Sequence, residues 1–225
     1  MLPIEKLRVG INFGNTVLVN RRPDGTPYGI AVDLANELAR RLNVPLEFTT
    51  YESAGRMAEG AKAGAWDVAF LAADPVRAQE IVFTEPYFEI DSTYLVRDDS
   101  PIHSIAEVDR DGARIALSEK SAYDLFLTRN IQHATLIRAA SPGASVDVFF
   151  KEKLDALAGI RPMLDDVARI HPGTRVLEGR FAAVQQAIGT PRGHDTMAAY
   201  LRTFVEEIKN SGFVAKVVSS AREDS

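Results

Sequence analysis

The 225-residue sequence predicts an α/β protein in two lobes, each a mainly parallel sheet flanked by helices. Three observations carry that prediction. Residues 7–72 alternate strand and helix patterns in the order β-α-β-α-β, which a parallel sheet with right-handed crossovers accommodates. The alternation restarts after DDSP at 98–101 and continues to about residue 177. Beyond that point come an extended stretch and one long amphipathic helix, so the final segment returns to one of the lobes.

In the first lobe, Leu7, Val9, Ile11 and Phe13 share one face of an alternating strand. The turn-rich RRPDGTPYG at 21–29 leads into a helix with Ala31, Leu34, Ala35, Leu38 and Leu42 at helical spacing. Asp33 suits its first turn, and Asn43 with Pro45 ends it. Residues 46–50 form a second strand. A helix over 53–64 places Ala54, Met57, Ala58 and Ala61 on one face, with Gly64 closing it. The run DVAFLA at 67–72 is apolar almost throughout, as in a strand covered on both faces. A short helix is expected near 75–80, then FTEPYF at 83–88 and a strand near 90–96.

In the second lobe the strands are 114–117, 135–138, 154–159 and 175–177, and the helices are 121–130, 143–152 and 161–170. Residues 181–190 are extended. A helix over 193–213 aligns Met197, Tyr200, Leu201, Phe204, Val205 and Ile208 on one face.

Composition narrows the function. A chain this long buries roughly 70% of its unfolded surface and needs no covalent staples. The absence of cysteine excludes disulfides, thiolate metal sites and a cysteine nucleophile. The net charge of −5, with no basic run, disfavours a nucleic-acid partner. No stretch approaches about 18 consecutive apolar residues, the length of a spanning helix. The opening MLPIEKLRVG lacks an apolar core and a small-residue cleavage site. Two expectations follow: a cytoplasmic chain, or a mature exported chain with a new start methionine.

No phosphate-cradling glycine loop, G-x-S-x-G elbow or H-E-x-x-H motif occurs. His103, His133, His171 and His194 lie far apart, none with a second ligand at metal spacing, and are expected on the surface. No metal or cofactor is expected. The strongest local signal is ADPVRA at 73–78, where a buried strand ends and a helix is expected to begin. Ligands bind outside the carboxyl ends of parallel strands. There Arg77 is either a bidentate anion clamp beside helix N–H donors, or a surface partner of Glu80 or Glu85. A second strand-to-helix junction, RIALSEKSAYD at 114–124, offers the N–H groups of Lys120, Ser121 and Ala122 to an anion. Ser121 also suits a plain N-cap, and the two roles are compatible. At a third junction Arg161 precedes Pro162, as a further anion contact or as an exposed charge.

Together these pieces resemble a known family. LRVGIN, YGIAVDLANELARRLNVPLEF and GAWDVAFLAADPVRAQEIVFTEPYF follow one another as in the amino-acid-type extracellular solute-binding proteins, the capture subunits of bacterial ABC importers. The likeness continues through RIALSEKSAYD and LDALAG to the SGF at 211–213, nearly the whole chain. It implies two lobes joined by two strands, residues 1–95 with 189–225 and residues 96–188, closing on a ligand in the interlobe cleft. It also implies a periplasmic, monomeric, non-enzymatic protein whose signal peptide has been removed and whose partner is the membrane permease of an importer.

Carried over by motif, Arg77 matches the arginine that clamps a ligand carboxylate. Phe70, Leu71 and Ala72 match the stretch that meets the ligand amine. Ser121 and Ala122 match the helix start that supplies further carboxylate contacts. The departures are specific. Ile160, between Gly159 and Arg161, stands where many relatives carry an acid for the ligand ammonium. Asp74 and Ala72 replace threonines, and Asn15 and Ser53 replace aromatic residues. An ammonium without a carboxylate partner is costly to bury. Either Asp74 or Glu119 supplies that partner, or the ligand has no ammonium. The reading favours a small carboxylate ligand of the second kind. Two alternatives differ in class: an enzyme on the same fold resembling cyclohexadienyl dehydratase, with Glu119 and Asp74 as the available acids, and the sensor lobe of a receptor.

Overall fold

The computed structural model describes residues 5–223. The chain divides into two compact units: one runs to Phe88 and resumes at Gln185, and the other is Glu89–Val184.

The first unit starts with β1 (Leu7–Asn12), whose Leu7, Val9 and Ile11 are fully buried. A short antiparallel pair, β2 (Asn20–Arg21) and β3 (Pro27–Tyr28), forms within the stretch read as a turn. Next comes α1 (Ile30–Leu42), which buries Ala31, Leu34, Ala35 and Leu38. Gly29 precedes it with φ 119°, and a Cβ there would lie 2.7 Å from the Leu18 carbonyl oxygen, so only glycine fits. Asn43 closes α1 in the left-handed conformation.

β4 (Leu46–Tyr51) pairs in parallel with β1 along its whole length. Helix α2 (Ala54–Glu59) is shorter than the expected 53–64. The reason is Trp66, which is buried and donates its indole N–H to the Met57 carbonyl at 2.9 Å. A continuing α-helix needs that carbonyl for Ala61; instead Ala61 N–H bonds to Ala58 and the chain turns away. β5 (Val68–Ala72) is buried at every position and pairs in parallel with β1. The helix expected near 75–80 is a single 3-10 turn, Arg77–Gln79. Asp74 tightens the chain there, its Oδ1 accepting Val76 N–H at 2.7 Å and its carbonyl accepting Ala78 N–H at 2.9 Å. β6 (Ile81–Phe83) then begins too soon for a longer helix.

The second unit repeats the scheme. It contains β7 (Phe88–Arg97), β8 (Arg114–Ser118), α3 (Ala122–Asn130), β9 (Thr135–Ala139), α4 (Pro142–Lys151), β10 (Ala156–Ile160), α5 (Arg161–Ile170) and β11 (Thr174–Val176). β9, β8 and β10 are parallel, while β7 runs antiparallel to β10 and β11. Leu95, Ala116, Phe149, Leu154, Leu157 and Leu164 form the core beneath α4 and α5.

β12 (Ala182–Pro191) carries the chain back to the first unit, where it pairs antiparallel with β5 and β6. Helix α6 (Asp195–Asn210) follows and buries Met197, Leu201, Phe204, Val205 and Ile208. The expected helix through 213 breaks at Gly212, φ 76°, and a further helix, α7 (Phe213–Glu223), follows. Among the described residues no helix is long and apolar enough to cross a membrane.

Candidate functional site

In the first unit, Arg77 sits just beyond the carboxyl end of β5. Its side chain is turned inward: the residue is 5% exposed, and Nη1 donates to the Ala72 carbonyl at 2.9 Å. Burial lowers its pKa to about 10, and the neighbouring Asp74 charge opposes that shift. The guanidinium therefore stays charged at neutral pH. Of the surface partners considered for it, Glu80 forms an ion pair with Lys62 at 3.1 Å. Asp74 is 7% exposed, so one turn holds a buried cation and a buried anion.

Phe70, Leu71 and Ala72 are the last three residues of β5, with their backbones in register with Ile188, Ala187 and Gln186 of β12. Phe70 meets the Tyr87 ring edge-on, with centroids 6.0 Å apart. Asn15 follows the carboxyl end of β1, the strand parallel to β5. The Asn15 carbonyl accepts the N–H groups of Leu18 and Val19, and its buried Oδ1 has no hydrogen-bond partner among the described residues. Thus Asn15, Phe70, Leu71, Ala72, Asp74 and Arg77 all belong to the carboxyl-terminal ends of two adjacent parallel strands, where α/β sheets hold ligands. Ser53 is a helix cap, its Oγ accepting Arg56 N–H.

Four of the predicted residues belong to the second unit. Ser121 is the N-cap of α3, its Oγ accepting Asp124 N–H at 3.0 Å, and Ala122 is the first helical residue. The expected trio of anion-binding N–H groups is reduced here. Lys120 N–H goes to Asp124 Oδ2 at 2.7 Å, and Ser121 N–H to the Ser118 carbonyl. Asp124 was not legible as a site residue, yet its buried carboxylate holds this turn in place. It also accepts from Thr128 and Arg138. A carboxylate three residues after a serine N-cap is the available signal. Ile160 ends β10, is 6% exposed and lies opposite Ser92 of β7. Ser92 is a residue the motifs missed; it is wholly buried, and its Oγ has no hydrogen-bond partner among the described residues. Arg161 directs Nη2 to the carbonyls of Leu177 (3.2 Å) and Gly179. Glu119 is half-buried and its N–H bonds to Ala139. All four histidines are exposed, and no cluster of metal-ligating side chains occurs among the described residues.

The family model for bacterial extracellular solute-binding proteins, family 3, matches residues 7–220. The chain belongs to this family. No curated protein is close enough in sequence to count as a match. The fold of this solute-binding protein is shared by solved structures of low identity. A mutant of ArgBP from T. maritima superposes with a TM-score of 0.83 at 18% identity, covering 97% of this chain and 96% of that one. An amino acid ABC transporter substrate-binding protein from Streptococcus pneumoniae, bound to L-arginine, gives 0.81 at 17%, covering 96% and 94%. An ancestral amino acid-binding protein described as a precursor of cyclohexadienyl dehydratase gives 0.81 at 18%, covering 96% and 95%. At these identities the likeness is one of fold.

Proposed function

We propose that this solute-binding protein captures a small carboxylate-bearing ligand, an amino acid or related organic acid, and delivers it to the membrane permease of an ABC importer. One observation carries the reading: a charged guanidinium, Arg77, is kept almost wholly buried at the carboxyl end of a parallel strand. Its planar guanidinium can hold a carboxylate bidentately, and a setting shielded from water strengthens such a contact. Phe70, Leu71 and Ala72 offer backbone groups beside it, and Asn15 offers a buried amide oxygen. Within the second unit, Ser121 and Ala122 at the start of α3 and Ile160 at the end of β10 are the residues proposed for ligand contact. Arg161 serves by fixing the segment 177–179. The protein works as a monomer in the periplasm and performs no chemistry on its ligand.

A thermal-shift screen tests this, using a panel split between α-amino acids and amine-free carboxylic acids. A ligand at about 1,000 times its Kd adds roughly 4 kcal/mol, which raises Tm by about 8–16 °C for a chain this long. Arg77→Ala should abolish the shift. A shift that survives this substitution removes Arg77 from the site. A hit among α-amino acids would mean that Asp74 or Glu119 holds the ammonium; hits confined to amine-free acids would favour the departure at Ile160. Capture should also lower the radius of gyration in solution scattering.

The second reading, an enzyme of the dehydratase type, rests on the buried acid Asp74 and on the ancestral relative described as a precursor of cyclohexadienyl dehydratase. Turnover of a cyclohexadienyl acid by the purified chain would establish it, and unchanged substrate after prolonged incubation would dismiss it.

A further inference from the structure

Tyr87 carries a polar atom that the packing around it does not employ. The residue is 5% exposed, and its hydroxyl is buried with no hydrogen-bond partner among the described residues. The segment that carries the ring is pinned. Tyr87 N–H donates to the Gln186 carbonyl at 2.9 Å, and the Pro86 carbonyl accepts Lys209 Nζ at 3.0 Å. Thr84 N–H donates to the Ile188 carbonyl, and Thr84 Oγ1 accepts Ile188 N–H. A buried hydroxyl left unpaired costs stability, so native folds keep few of them. Phenylalanine would fill the same space, keep the edge contact with Phe70 and leave nothing unpaired. The hydroxyl is therefore an addition to the structural role of the ring.

Its place in the first unit points to the use. Gln186, which takes the Tyr87 N–H, is in register with Ala72 of β5, and the Ala72 carbonyl holds Arg77 Nη1. The Tyr87 ring meets that of Phe70, two residues before Ala72 on the same strand. We infer that the Tyr87 hydroxyl is a further ligand contact, donating a hydrogen bond to an oxygen of the captured carboxylate-bearing molecule. This rests on the reading of the carboxyl end of β5 as the ligand site. Burial pushes the phenol pKa up, so the group stays protonated and neutral. It complements Asn15, whose buried Oδ1 likewise has no hydrogen-bond partner among the described residues but can only accept. A hydrogen bond to an ionised oxygen is stronger than one between neutral groups, and more so away from water.

The test is Tyr87→Phe in the full chain, read in two ways. In thermal denaturation without any added compound, its Tm should equal or exceed that of the wild type, because an unpaired buried hydroxyl has been removed. Calorimetric titration then uses L-arginine, L-glutamine and succinate. Whichever binds the wild type most tightly should bind the variant about tenfold or more weakly. A structural role moves these readouts the other way. A lower Tm, or a variant that does not fold, would give the hydroxyl a partner within the fold, such as an internal water, and overturns the inference. Unchanged affinity overturns it too, as does no binding of any of the three compounds. Arg77→Ala separates the two levels. If it leaves the affinity for that compound unchanged, the reading of the site fails. If it abolishes binding while Tyr87→Phe binds like the wild type, only the role of Tyr87 fails.

Discussion

The carboxylate of Asp124 accepts the Nε–H of Arg138 at 3.0 Å, fastening the first turn of α3 to β9. The same carboxylate holds Lys120 N–H, and Lys120 has a left-handed φ of 54°. Asp124→Ala removes the acceptor from several donors at once. Hydrogen bonds to a charged group contribute about 1.5–3 kcal/mol each when buried. Arg138 is 40% exposed at its side chain, which discounts its share. A loss of about 2–3 kcal/mol in total is expected, read as a drop in chemical-denaturation midpoint. Asp124→Asn, which keeps one acceptor oxygen, should lose clearly less.

Gly29→Ala should be among the most damaging single-methyl additions. The residue occupies a region of backbone space that is nearly glycine-only, at a strain of about 1–3 kcal/mol for other residues. Its new Cβ would also lie 2.7 Å from the backbone oxygen of Leu18, which cannot swing aside. Gly25→Ala, with φ 87° but open space around it, is the control. Calorimetric Tm should fall several degrees further for the former; equal shifts would refute the steric part.

Glu37 on α1 bonds to both Arg40 (2.8 Å) and Arg41 (2.7 Å), and Arg41 reaches on to Glu207 of α6 (2.6 Å). The Arg40 hydrogen bond leads in lowering its pKa from 4.5 to about 2, with Arg41 adding to the effect and burial opposing it. A depressed carboxylate stabilises the fold above its unfolded pKa and loses that contribution as pH falls through the folded one. The window is therefore about pH 4.5 down to about 2. Glu37→Gln should flatten the acid limb of the stability curve in that window and change little of its shape at neutral pH.

Arg161→Ala should act on stability more than on ligand capture. Its guanidinium holds the carbonyls of Leu177 and Gly179. Losing those bonds costs about 1–2 kcal/mol. Tm should fall by a few degrees, while the affinity for panel hits falls far less than with Arg77→Ala. An affinity loss as large as that of Arg77→Ala would place Arg161 directly against the ligand.

The alternation of strands and helices was legible because its signals are local. The apolar run 67–72 and the helical spacing of Ala31 to Leu42 need no knowledge of the rest of the chain. Elements that depend on distant partners were not. The indole of Trp66 stops α2 early by taking the Met57 carbonyl nine residues away. The turn at Arg77 looked helical, because nothing nearby reveals that β6 must start at Ile81 to meet β12. Helix α7 was concealed by joining its first residues to α6 across Gly212. At the candidate site, Arg77 and Ser121 stood out through motif and junction. Asp124 and Ser92 did not, since their importance arises from burial and from cross-element hydrogen bonding.

Trp66 is the sequence's single tryptophan, and it belongs to the first unit. Its emission is thus a reporter for that unit alone, while the second unit is silent at wavelengths that excite only indole. Far-ultraviolet ellipticity, in contrast, sums over both. Superimposable melting curves from the two signals would show that the units unfold as one cooperative block. Curves that separate would assign each transition to its unit without any label or engineered probe.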